Sequence, residues 1–218
     1  MIDDFNRLSY PKGTLVSPSV YGDQLDYEFK QGSDYFLGKD FVILRQEFWK
    51  VPEKIIRSDV GKVMISLGGS KQSSKMLDQL SRWLRSDAAH GQIEFEIIDP
   101  SKKILNARGI IKAMLSADIC ITGAGQTTEE LARLGVPSIG LCFSENQFLN
   151  LECLAKVGFI ESIGWYHETK LREKLFEALE ILKPAKERRH RSYLGRTLID
   201  GQGAIRIAKK LLGVNTHV

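Results

Sequence analysis

The sequence predicts an α/β fold, a Rossmann-like parallel sheet with helices on both faces. Two observations carry the prediction. From residue 62 onward, short β-rich runs alternate with stretches of helical pattern, the order produced by right-handed βαβ units. In addition, the stretch ITGAGQTTEELARLGVPSIGL, residues 121–141, reads as a strand, a glycine turn, a helix, a second glycine turn and another strand.

Taken in order, KVMISL is the first strand of this region and is followed by a helix through MLDQLSRWL. IEFEII is the next strand, with a helix near GIIKAML. DICITG, the helix TTEELARLG and the strand PSIGLCF follow. The rest is helical: LNLECLAKVG, TKLREKLFEALEIL, the basic stretch 186–194 and AIRIAKKLLG. Residues 1–59 differ in character. Pro11, Pro18, Gly13, Gly22, Gly32 and Gly38 punctuate short apolar pieces there, and VPEKIIRSD reads as a connector. The expected division is therefore a segment 1–59, unable to fold alone, and a domain 60–218.

Composition narrows the function classes. With 218 residues and 43% apolar content the chain can bury a substantial core. No apolar run is long enough to span a bilayer, and MIDDFNRLSY lacks the basic and apolar blocks of a signal peptide, so a cytoplasmic protein without an integral membrane segment is expected. Cys120, Cys142 and Cys153 are odd in number and form no CxxC pair. They read as buried reduced thiols, and neither a metal site nor a cofactor is expected. A net charge of +4, from 31 basic and 27 acidic residues, is too mild to indicate nucleic acid, and Trp49, Trp83 and Trp165 are too scattered for a stacking platform. KERRHRSYLGR reads as a solvated helix face.

Ligands of open parallel sheets bind beyond the carboxyl ends of the strands, and two glycine-rich exits lie at such ends. Gly68, Gly69 and Ser70 follow KVMISL; Gly123 and Gly125 follow DICI. Glycine admits positive φ and close ligand approach, while the first amides of the next helix lack intrahelical acceptors and attract anions. The crowd of polar residues at 126–130 has two readings. In one, Thr127 is an N-cap and Glu130 closes a capping box worth ~1 kcal/mol. In the other, Gln126, Thr127 and the free amides face phosphate while the Glu130 carboxylate accepts from ribose hydroxyls.

MISLGGS at 64–70, AD followed by ICITGAGQTTEELARLGVP at 117–137, ENQ at 145–147 and LIDGQGAIRI at 198–207 together resemble a known family. They are similar to the C-terminal, nucleotide-sugar-binding domain of the GT-B superfamily. Within it they most resemble the group of the UDP-sugar hydrolase of pseudaminic acid biosynthesis and the spore coat polysaccharide proteins. The family's turn reads GGST with a glutamate three residues on; here Ala124 and Gln126 replace a glycine and the serine, while Gly125, Thr127 and Glu130 are kept. The resemblance implies UDP or a UDP-sugar as ligand. Glu130 would take the ribose, Thr127 and neighbouring amides the diphosphate, and Asn146 with Gln147 the sugar. Gly68, Gly69 and Ser70 would border the same cleft.

IDDFNR and YFLGKDFVILRQEFW resemble the end of the family's N-terminal domain and its crossing into the second. By that resemblance roughly a hundred residues of a full member, a nucleotide-binding αβ domain by size, lie outside this sequence. They include the glycine-rich loop with the family's catalytic histidine. None of His90, His167, His190 and His217 sits in a comparable motif, and each reads as a surface or loop residue, so no catalytic residue is named. The family's chemistry is hydrolysis at the anomeric carbon of a UDP-linked sugar. This chain is expected to bind the nucleotide sugar without turning it over alone. The alternatives are the UDP-sugar-binding subunit of a split GT-B glycosyltransferase, and a binding or regulatory remnant. Phe41, Phe48 and Trp49 read as interdomain packing left exposed, available to a separate N-terminal-type protein or to self-association.

Overall fold

The structure, a computed structural model, describes residues 1–6, 8–86, 93–100, 102 and 104–213. Strands β1 Thr14–Ser17 and β2 Asp34–Leu37 form a small parallel sheet, to which Ile2 adds a parallel bridge at Val16. The second sheet contains β3 Lys62–Ser66, β4 Glu94–Ile97, β5 Ile119–Gly123, β6 Ser138–Cys142 and β7 Ile160–Trp165. All its strands are parallel, in the order β4-β3-β5-β6-β7. The helices are α1 Lys71–Ser86, α2 Ala107–Ser116, α3 Thr127–Leu134, α4 Glu145–Lys156, α5 Leu171–Leu182, α6 Ala185–Leu198 and α7 Gly203–Leu211. The α/β class and the parallel sheet are as the sequence predicts.

Both faces of the large sheet are covered because its strands are apolar on both sides. Val63, Ile65, Ile119, Ile121, Ile139 and Leu141 pack on α1 and α5. Their strand neighbours Met64, Cys120 and Cys142 point the other way, into a cluster with α2, α3 and α4. From β3 the chain crosses to β4 on one side, then returns to place β5 on the other. The switch in winding direction therefore falls between β3 and β5, and both glycine exits flank it.

Residues 1–59 have no separate core. Val20, Tyr21, Val42, Leu44 and Phe48 are buried in the same cluster as α2, α3 and α4. Helix α7 leaves the large sheet and covers the small one, where Ile207 joins Val16 and Phe36 with Phe41 beside them. The turn into α7 needs glycine, since a Cβ on Gly203 would lie 2.2 Å from the Val42 carbonyl oxygen. The expected exposure of Phe41, Phe48 and Trp49 is thereby corrected. Phe48 is fully buried, Phe41 stacks on Phe36, and the Trp49 indole donates to the Leu44 carbonyl at 3.0 Å.

Two further expectations are corrected. Strand β7 was not anticipated, because Glu161, Ser162 and Gly164 interrupt its apolar pattern. Helix α6 is not simply a solvated face: Arg188 is fully buried, donating to the Ser58 and Lys183 carbonyls, and buried Arg191 pairs with Glu161 and Glu187. Cys120 and Cys142 are buried, Cys153 is half-buried, and all three are free. Among the described residues no cluster of acidic, histidine and cysteine side chains could hold a metal, and no helix is long and apolar enough to cross a membrane.

Candidate functional site

Strand β5 ends at Gly123, and only glycine fits there, because a Cβ would sit 2.9 Å from the Leu67 carbonyl oxygen at the end of β3. The chain then turns through Ala124 and Gly125 into α3. The helix starts at Thr127 with Gln126 as its N-terminal flanking residue, and no side chain caps it. The capping-box reading is therefore corrected: the Thr127 hydroxyl bonds no backbone amide, and the Glu130 carboxylate is engaged elsewhere. Instead Thr128 closes the turn, its hydroxyl donating to the Gly125 carbonyl at 2.7 Å. The amides of Gly125, Gln126 and Thr127 have no acceptor among the described residues. Three donors thus point out of a helix start at the switch of the sheet, where the helix dipole favours an anion.

Beside this turn lies a polar cavity of about 250 Å³. The predicted residues Ala124, Gly125, Gln126, Asn146 and Gln147 all line it. Gln147 Oε1 accepts from the Phe143 amide at 3.0 Å, leaving its Nε2 for the cavity. Asn146 accepts from the Ser144 hydroxyl. The Gln126 side chain donates to the Ile43 carbonyl at 3.1 Å, so it ties the turn to the segment 1–59 rather than reaching for phosphate. Thr127, Glu130, Gly68, Gly69 and Ser70 do not line this cavity. Ser70 caps α1 by accepting from the Ser73 amide at 3.0 Å, and Gly68 turns the chain out of β3 at φ 86°.

Glu130 faces the connector. Its Oε1 accepts from Arg45 Nη2 at 2.8 Å and Nε at 3.2 Å, and its Oε2 has no partner among the described residues. Burial raises its pKa above the usual carboxylate value, against the opposing pull of Arg45. Its neighbour Glu129 turns the other way, into the cavity, and is 8% exposed. Burial pushes the Glu129 carboxyl up to about 8; the negative charge of Asp4 adds to the shift, and a hydrogen bond from the Val20 amide opposes it. Asp4 lines the opposite wall and accepts from the Ser19 hydroxyl at 3.2 Å.

Asn150 of α4 completes the cavity. Its Nδ2 donates to the Ala124 carbonyl at 3.0 Å and the Thr128 hydroxyl at 2.8 Å, while its buried Oδ1 has no partner. Sequence reasoning missed Asp4, Glu129 and Asn150. The one signal was the pair of adjacent glutamates on α3, because residues one apart on a helix face directions ~100° apart. His167 is exposed beside Trp165, and His190 is exposed on α6; His90 and His217 lie outside the described residues. A larger cleft of about 880 Å³ between Trp49, α2 and the start of α7 contains none of the predicted residues.

No protein-family model matches the chain. It is 28% identical over 184 residues to a Helicobacter pylori protein named pseudaminic acid cytidylyltransferase and UDP-2,4-diacetamido-2,4,6-trideoxy-beta-L-altropyranose hydrolase. It is 26% identical over 200 residues to an uncharacterised protein of Methanocaldococcus jannaschii. Each match covers 80% of this chain but only 34% and 40% of the respective relative. Among solved structures it is similar to MurG of Acinetobacter baumannii, with TM-score 0.63, 14% identity, and coverage of 92% of this chain and 60% of that one. It is also similar to the spinosyn rhamnosyltransferase SpnG complexed with thymidine diphosphate, with TM-score 0.55, 14% identity, and coverage of 89% and 56%. The five-stranded parallel sheet with helices on both faces thus matches part of the fold of these GT-B-type structures.

Proposed function

We propose that the chain binds a UDP-sugar in the cleft at the β5–α3 turn, as the nucleotide-binding part of a hydrolase in surface-polysaccharide or nonulosonic acid biosynthesis. The observation that carries the reading is the set of unaccepted amides at Gly125, Gln126 and Thr127, which open at the switch of the sheet beside a polar cavity holding Asn146 and Gln147. In this reading the amides take the diphosphate and the free Oε2 of Glu130 accepts from the ribose. Asn146 and Gln147 meet the sugar. The name of the Helicobacter pylori relative supports the substrate class.

Hydrolysis at an anomeric carbon needs a positioned base for the attacking water and stabilisation of the departing diphosphate. The helix start supplies the second. The base belongs, in this reading, to an N-terminal-type domain that supplies the other wall of the cleft, in a separate protein or in a longer form of this one. Titration calorimetry with UDP tests the binding, and UDP release from a UDP-diacetamido sugar tests the chemistry. Binding without release by the chain alone is the expected result. Absence of UDP binding sinks the reading. Release only with a membrane partner and a lipid-linked acceptor replaces it with a split glycosyltransferase.

A further inference from the structure

The cavity beside the turn is unusually specific in what it lacks. Asn150 is 6% exposed, and its orientation is fixed by two acceptors, the Ala124 carbonyl and the Thr128 hydroxyl, so its amide cannot rotate to satisfy itself. Its Oδ1 is left as a buried acceptor without a donor, an unfavourable state that a ligand N–H would relieve. On α3, Glu129 is buried in the same cavity with no ion pair among the described residues, in contrast to Glu130 with its Arg45. The Val20 amide opposes the rise of the Glu129 pKa, and a carboxyl that holds its proton can donate it.

We propose that Asn150 and Glu129 together read a secondary amide on the sugar of the bound nucleotide: Asn150 Oδ1 accepts its N–H and the Glu129 carboxyl donates to its carbonyl oxygen. An acceptor and a donor lining one cavity match an acetamido group, which offers its N–H and its carbonyl oxygen on two separate atoms, whereas a hydroxyl offers its donor and acceptor on a single oxygen. The inference rests on the nucleotide-sugar reading above and assigns specificity within it. The groups facing Glu129 keep its proton in place. Asp4 and Tyr21 come from the segment 1–59, and Glu130, already neutralised by Arg45, comes from its own helix; none of the three supplies a positive charge. A carboxyl whose pKa is pushed up to about 8 is a donor at neutral pH and ceases to be one as pH rises past that value.

The test is titration calorimetry of the full chain with UDP, UDP-glucose and UDP-N-acetylglucosamine between pH 6.5 and 9.5, on the wild type and on Glu129→Gln. The glutamine keeps a donor and an acceptor but cannot ionise. The expected result is a preference of about tenfold or more for the acetamido sugar at pH 6.5, because a site built to hydrogen-bond a group rejects the analogue lacking it. That preference shrinks through pH 8–9 in the wild type and stays constant in Glu129→Gln. Thermal unfolding of the variant confirms that it is folded. If UDP binds but the two sugars bind equally, or if the preference is the same at every pH in both proteins, the assignment of Glu129 is overturned while the nucleotide reading stands. If UDP itself does not bind, the nucleotide reading falls first.

Discussion

Glu129 and Glu130 are adjacent in sequence yet sit in opposite surroundings. Glu130 lies against Arg45 of the connector, whereas Glu129 lies in the cavity across from Asp4. If Glu130 accepts from a ribose as proposed, replacing it by alanine removes a charge-assisted acceptor, and the affinity for UDP is expected to fall by about 1.5–3 kcal/mol in calorimetry. Unchanged affinity would confine Glu130 to holding Arg45. For Glu129 the consequence is a pH dependence of stability. Its folded pKa of about 8 lies above the ordinary 4.5, so between those values the folded protein binds more protons than the unfolded one. Its contribution to stability is therefore present below pH 4.5 and lost as pH rises through 8, with a slope of up to about 1.4 kcal/mol per pH unit. Urea unfolding midpoints across that range should flatten measurably in Glu129→Gln; an unchanged slope would assign the pH dependence to other groups.

The elements around the site are held by side chains that reach between them. Asp118, in the AD pair before β5, takes Arg57 at 2.8 Å and the amides of Gly61 and Lys62, pinning the connector to the start of β3. Burial would raise its pKa, but those partners outweigh it and hold the carboxyl below the usual value. At the start of α4, Gln147 is anchored through Oε1 and free through Nε2. Gln147→Ala is accordingly expected to weaken UDP-sugar binding more than UDP binding; equal losses for the two ligands would mean that the loop itself had been disturbed. At the start of α7 the tight approach of Gly203 to Val42 leaves no room for a methyl group. Gly203→Ala should lower stability by about 1–3 kcal/mol through overpacking, read as a lower melting temperature, with UDP affinity retained once folded.

At the scale of the whole molecule, described residues from before and after position 60 share one core. Phe48, buried with Leu44, Leu131 and Leu134, is a measure of that sharing. Phe48→Ala is expected to cost about 3–5 kcal/mol and to shift a single unfolding transition, because the small sheet has too few apolar residues to melt as a unit of its own. Two separate transitions would show that the segment is an independent body. The same arrangement explains the cavity, since Asp4 and Ser19 on one wall meet α3 and α4 on the other only because α7 and the connector hold the segment in place.

The alternation of β3 to β6 with their helices, the parallel sheet and the two glycine exits were legible in the sequence because each rests on local physics: buried strands carry β-rich runs, helices carry their own period, and close backbone approach at Gly123 excludes every side chain but glycine's hydrogen. Gathering Ala124, Gly125, Gln126, Asn146 and Gln147 at one cavity followed from the same topology. What only the tertiary structure decided are contacts between residues far apart in the chain, which no local pattern encodes. Arg45 takes Glu130 across 85 positions, Gln126 reaches Ile43, and Asp4 comes to face Glu129. Arg188 is buried in a helix that its composition marks as solvated. A carboxyl's charge state depends on which groups surround it in space. Two adjacent glutamates, alike in sequence, are therefore one ion-paired residue and one buried carboxyl whose pKa is pushed up, because residues of the segment 1–59 lie against α3.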